Sequence, residues 1–334
     1  VEDPIVRAPE PSEEQPQSAV AESHASWVPW LVLGGLFLAA AGLTMGEMFP
    51  NYYKLSGNIG TYTPSVWFAV PAIAGWLLAG SLVLFPRTRT IGAALGVGVT
   101  VLSLPNYLSH IGDLVTGGEQ RALGVELGLA GIAIALVASA ACTVLLIRSR
   151  RLWVARDGGA PVWALLCGIL GLVYGAGYAM SWTEFRIHAT VQGWRFNATG
   201  TSDYVYRSFS LFHRHGWTLA GDVLLVVLAA LVPVIVSFWA PGRLGAAATF
   251  GCGLALLANP LSGVAYLAEP VTRVTVGMTA GQAQQAGAIF SDRGLPGLWM
   301  SFAAAGALMV VAVARGLYAS SSVERSPRVT PAYA

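Results

Sequence analysis

RTIGAALGVGVTVLSLPN (89–106) and GRLGAAATFGCGLALLAN (242–259) are the same pattern written twice. Ile91-Gly92-Ala93-Ala94 falls on Leu244-Gly245-Ala246-Ala247, Gly98 on Gly251 and Asn106 on Asn259, without a gap. Arginine-bearing turns precede both copies, PRTR and APGR. Each copy is an apolar run close to the ~20 residues that a helix needs to cross a bilayer core.

Outward from these two runs the chain carries eight such stretches, at 27–46, 65–85, 91–112, 122–147, 160–181, 217–239, 244–268 and 296–318. The repeated run is the third of the first four and the third of the second four. A similar Pro-Trp pattern opens each set, VPW at 28–30 and PVW at 161–163. The expected fold is therefore an all-α polytopic membrane bundle of eight transmembrane helices in a 4+4 arrangement. An even number of helices per half makes the two repeats parallel, related by an axis along the membrane normal. The first half spans 27–147, a basic linker 148–159, and the second half 160–318.

Composition agrees. Hydrophobic residues make up 55% and charged residues 11% of the chain, against about 25% charged in soluble domains. Mean hydropathy is +0.61. A net charge of +2 gives no basic surface for nucleic acid, and lipids are the expected surroundings. Of 19 basic residues only Lys54 is lysine; with the Ala, Gly and Val usage this points to a bacterial, GC-rich origin. Cys142, Cys167 and Cys252 lie in three different stretches with no metal or redox spacing. They read as buried, reduced packing residues.

Short loops set the expected orientation. Arg87 and Arg89, the four arginines of RSRRLWVARD (148–157), Arg243, Arg325 and Arg328 all follow even-numbered stretches. Both termini are thus expected in the cytoplasm of a bacterial plasma membrane. Residues 1–26, rich in Pro, Glu, Ser and Gln, read as a disordered tail rather than a signal peptide, and 319–334 as a second tail. The long loops 182–216 and 269–295 are then external. The first has two β-rich runs around NATGTSD, so a β-hairpin within 185–212 is expected to cap the outer face. The second contains TAGQAQQAGAIF, with Thr279 placed to cap a short surface helix.

Polar groups converge where both repeated runs carry proline. The third stretch reads SLPNYLSHIGD and the seventh LANPLSGVAYLAE. Proline removes a backbone hydrogen bond, and in lipid the freed carbonyl needs another partner. Ser103, Asn106, His110 and Asp113 share one helix face, and Asn259, Ser262, Tyr266 and Glu269 repeat that spacing. Both asparagines lie about 22 Å from the cytoplasmic ends at 1.5 Å per residue. Glu126 and Asp222 enter the same layer from the outer side, with Glu47 at its rim. Breaks at matching positions of two halves point to a transporter-type site. On that reading Asn106, Asn259, Ser103, Ser262 and Tyr266 bind substrate, while Glu126, Asp222, His110 and Asp113 carry charge or protons. The competing reading is plain packing, since polar residues in membrane helices commonly bond neighbouring helices.

The favoured function is a transporter-like protein binding a small solute or ion in an outward-facing polar cavity between the third and seventh helices. The alternatives are an accessory or structural subunit acting through its external loops, as a homo-oligomer or with a membrane partner, and an outer-face metal or redox enzyme. His110, His213 and His215 are the weak metal candidates, and the arginine between the last two opposes a cation. A bis-histidine haem lacks a second intramembrane histidine. No GxSxG, HExxH, SxxK or Walker A motif is present, so no catalytic residue and no cofactor are assigned.

Overall fold

The computed structural model describes residues 27–48, 53–54, 68–116, 120–121, 123–148, 159–180, 182–189, 202–208, 216–268 and 289–325. Both expected tails and Thr279 lie outside these residues, save that the last helix runs on past 318.

In chain order the elements are α1 Val28–Thr44 with a 3-10 turn at Met45–Met48, β1 Tyr53–Lys54, α2 Val70–Leu84, α3 Arg89–Thr116, β2 Gln120–Arg121 and α4 Leu123–Arg148. They continue with α5 Ala160–Ala179, β3 Thr183–Ala189, β4 Ser202–Ser208, α6 Gly216–Trp239, α7 Gly242–Leu256, α8 Ala258–Ala268, β5 Ile289–Gly294 and α9 Pro296–Arg325. Proline in the first turn of α1, α2 and α5 starts a helix without loss, because those N–H groups have no intrahelical partner. Glu126 in the first turn of α4 and Arg148 in its last complement the helix dipole.

Among the described residues six helical segments are long and apolar enough to cross a membrane: α3, α4, α5, α6, the α7–α8 pair and α9. α1 and α2 are apolar but shorter. Large apolar side chains such as Leu165, Leu172, Val310 and Leu317 stand exposed on the outside of the bundle. An exposed apolar surface of this kind suggests a protein embedded in a membrane. Trp27 and Trp299 are also exposed, at helix starts.

The packing has a regular scheme. α1 packs against α2 and α4, and α3 against α2 and α4; α5 packs against α6 and α9, and α7 against α6 and α9. One apolar core is built mainly from α1–α4 with Leu244, Ala247 and Ala248 of α7, and a second mainly from α5–α9 with Leu102 of α3. They meet where α3 crosses α7 and α6. α3 and the α7–α8 pair are the innermost elements, with 72% of their apolar spans buried against 28–39% for the other four segments.

Glycines allow that closeness. A methyl group at Gly98 would collide with the carbonyl oxygen of Ala248, and one at Gly251 with the carbonyl oxygen of Leu95. Backbones this near require residues without a side chain. Two other helix pairs set a hydroxyl over a glycine. Thr44 of α1 lies on Gly131 of α4, and Ser301 of α9 lies on Gly177 of α5.

Short strands gather at one end of the bundle. β1, after α1, pairs antiparallel with β2, before α4. β3, after α5, pairs antiparallel with β5, before α9, and on its other edge with β4. The β-rich runs of 185–212 are thus paired, Phe185 opposite Tyr206. The third strand, β5, begins inside the run expected to form a surface helix.

Two expectations about the helices need correction. The two prolines were expected to interrupt both repeated helices alike. Instead α3 runs unbroken through Pro105, while the other helix stops at Leu256 and restarts at Ala258, ahead of Pro260. A proline inside a helix either bends it or breaks it, and the outcome depends on what takes the freed carbonyl. The last helix also continues to Arg325, beyond the expected end at 318.

Candidate functional site

α5 carries an aromatic ladder on its buried face. Tyr174 and Tyr178, one turn apart, share one side of α5, and Trp182, just past the end of the helix, packs against Tyr178. Tyr174 and Tyr178 stack with ring centres 6.0 Å apart, and Trp182 meets Tyr178 edge-on at 5.1 Å. The Trp182 indole donates to the Gly177 carbonyl at 2.9 Å, and its backbone carbonyl accepts from Leu295 at 2.7 Å. The ladder therefore ties the end of α5 to the start of α9.

Each tyrosine hydroxyl reaches a different helix. Tyr178 donates to Oδ1 of Asp222 on α6 at 2.6 Å. Asp222 is buried, only 4% exposed, and a carboxylate within a membrane segment persists only where it is hydrogen-bonded or paired. Tyr174 donates to the Leu256 carbonyl at 3.1 Å. That carbonyl is the one Pro260 leaves without its usual donor four residues on. The Asn259 side chain lies against the same hydroxyl. Asn259 in turn donates from Nδ2 to Oδ1 of Asn106 at 3.0 Å, bridging α8 to α3.

So the structure brings Asn106, Asn259 and Asp222 into one connected layer, through two tyrosines. Ser103 is buried on α3. Ser262 is half-buried, and its hydroxyl makes no hydrogen bond among the described residues. Glu126 is exposed in the first turn of α4, near the positive end of the helix dipole. The side chains of His110, Asp113, Tyr266, Glu47 and His188 lie outside the described residues, as do His213 and His215.

Sequence reasoning passed over Tyr174 and Tyr178. Their signal was available: a tyrosine deep in an apolar helix needs a partner for its hydroxyl, and GLVYGAGYAMSW spaces two of them one turn apart. It also passed over Arg315 of α9, which is 1% exposed and donates from Nη2 to the Ala240 carbonyl at 2.9 Å. Beside it Cys167 and Ser237 share a hydrogen bond at 3.2 Å, and Ser237 and Thr249 one at 3.1 Å. In the α1–α4 core the Trp76 indole and the Ser139 hydroxyl both donate to Thr100, at 3.0 and 2.9 Å. All three cysteines are buried and free, as their spacing implied.

Among the described residues no three His, Cys, Asp or Glu side chains come together as a metal site. What the layer can do chemically follows from its groups. Two half-buried amides offer donors and acceptors, two phenols offer hydroxyls, and one buried carboxylate offers a negative charge or a proton-accepting oxygen. Comparison with known protein families, with characterised proteins and with solved structures finds no match for this chain.

Proposed function

We propose that the chain is an eight-span protein of a bacterial plasma membrane, built from two parallel four-helix halves with both termini in the cytoplasm. We further propose that it is a transporter-like binder of a small polar solute or ion held between the halves. One observation carries the reading: Asn259 bonds Asn106 across α8 and α3, beside two prolines and a buried carboxylate. The shift of 153 residues between the asparagines also relates Gly98 to Gly251 and Leu95 to Ala248. Hence the two glycine contacts exchange with one another under it, as expected of duplicated units facing each other. The antiparallel pairs β1–β2 and β3–β5 join corresponding positions of the two halves and support the same view.

In this conformation the two amides satisfy each other. A solute carrying both donor and acceptor groups would take over that bond. It would add the Ser262 hydroxyl one turn further on, with Ser103 and Tyr266 on the same faces. Asp222 would hold a proton or a cation, gripped by Tyr178. His110 and Asp113 would extend the path along α3, and Glu126 would stand at its rim.

The test is thiol accessibility in intact cells, in a chain with its three cysteines replaced. Single cysteines at positions 106, 259 and 222 are challenged from outside with a membrane-impermeant maleimide. Labelling is expected at all three. Protection of all three in well-expressed, folded protein sinks the cavity and leaves the layer as packing.

A second reading has its own observation. The sheet β4-β3-β5 joins the loop after α5 to the segment before α9, a compact surface through which an accessory subunit would engage a membrane partner. Replacing 185–212 by a short linker would then abolish co-purification of that partner, and unchanged co-purification rules this reading out.

A further inference from the structure

We infer that the joint between α7 and α8 is a hinge, and that the Tyr174 hydroxyl is the latch that holds it in the present position. Pro260 has no N–H, so the Leu256 carbonyl loses the donor that a continuous helix would supply. α7 ends at that residue. In an apolar interior an unsatisfied carbonyl is strongly unfavourable, so the position of α8 depends on what replaces the lost bond. The replacement is Tyr174 of α5, 3.1 Å away and buried.

A backbone bond travels with its helix. This bond fixes the last carbonyl of α7 to a neighbouring helix, and the same hydroxyl meets α8 through the Asn259 side chain, so both sides of the joint are held by Tyr174. The tyrosine is itself held in place. Its backbone carbonyl accepts from Ser301 at 3.3 Å, and its ring stacks on Tyr178, whose hydroxyl grips Asp222. A continuous chain of contacts thus leads from the buried carboxylate through both phenols to the joint. Beyond the joint stands Asn259, whose side chain lies against the latch hydroxyl and bonds Asn106. The other proline, Pro105, sits in an unbroken helix, so movement is confined to one of the two crossing elements. Such a hinge needs no transported solute.

Pro260→Ala supplies the missing N–H and makes the latch redundant, which gives a rescue test. In the full-length, cysteine-replaced chain, Ser262→Cys places a reporter on α8 beyond the joint. Its alkylation rate by N-ethylmaleimide is measured in detergent for four backgrounds: wild type, Tyr174→Phe, Pro260→Ala and the double variant. Tyr174→Phe is expected to raise the rate about tenfold, the size set by one net hydrogen bond. With Pro260→Ala present it should change the rate less than about twofold. Equal acceleration with and without Pro260, or no acceleration in folded Tyr174→Phe protein, overturns the hinge. Should Tyr174→Phe alone not fold, recovery of folded protein in the double variant supports the latch, and failure to recover overturns it.

Discussion

The Tyr178 hydroxyl and the Asp222 carboxylate meet at 2.6 Å between α5 and α6, away from water. Hydrogen bonds to a charged group are worth about 1.5–3 kcal/mol, more than neutral ones. Tyr178→Phe strips the carboxylate of this donor and is expected to destabilise by that amount. Asp222→Asn keeps an acceptor and removes the charge, so it should cost less. The double variant should fall short of the sum of the singles, since the two changes break one interaction. Thermal unfolding of the four proteins in one detergent measures this. Strict additivity would mean that the pair is not energetically coupled.

Asn106 and Asn259 make a second pair with a different expectation. Interhelical hydrogen bonds in membrane proteins average about 0.6 kcal/mol. Asn106→Leu and Asn259→Leu should each lose about that much, and together little more than either alone. A double-mutant cycle on thermal stability reads the coupling directly. Solute binding at this layer would additionally make both single variants insensitive to whatever ligand stabilises the wild type.

The sequence made the positions of the helices legible because length and apolarity alone specify a membrane segment. The Asn106–Asn259 contact was foreshadowed too, because the two similar runs carry an asparagine at the same position. What remained hidden depends on neighbours that no single segment names. Pro105 and Pro260 look alike in sequence, yet only the second accompanies a break, where a phenol from α5 waits for the carbonyl. Asp222 was readable as a buried acid, but its partner Tyr178 lies 44 residues away on another helix. Arg315 hid in VAVARGLYASS because charges near helix ends are normally counted as loop charges. The strand β5 hid because a six-residue run carries little signal before its partner β3 is known.

Glycine positions offer a stringent check on the central crossing. Gly98→Ala and Gly251→Ala place a methyl against carbonyl oxygens of the opposite helix. Neither backbone can move without disturbing the whole bundle, so each should lower stability by about 1–3 kcal/mol or more. Gly35, Gly42 and Gly306 have open space where a side chain would go. Alanine there should be neutral or stabilising by up to about 1 kcal/mol through helix propensity. Yield of monodisperse protein and melting temperature separate the two groups. A tolerated Gly98→Ala would contradict the close crossing of α3 and α7.

Arg315 carries the last prediction. Its guanidinium lies where the α6 helix ends, donating to the carbonyl of Ala240, a site where positive charge meets the negative end of a helix dipole. Gly245 on α7 leaves the room, since a methyl there would collide with the Arg315 side chain and with the Ala240 carbonyl. Lysine keeps the charge and loses the planar fork, so it buries an ammonium ion without the same set of donors. Arg315→Lys should therefore destabilise by about 1–3 kcal/mol. Arg315→Met removes the buried charge and fills similar volume, an exchange that is often near neutral, within about 1 kcal/mol, or even favourable. The expected order of melting temperatures is wild type or Met highest and Lys lowest. A lysine variant as stable as wild type would show that charge alone, and not the fork, holds the turn between α6 and α7.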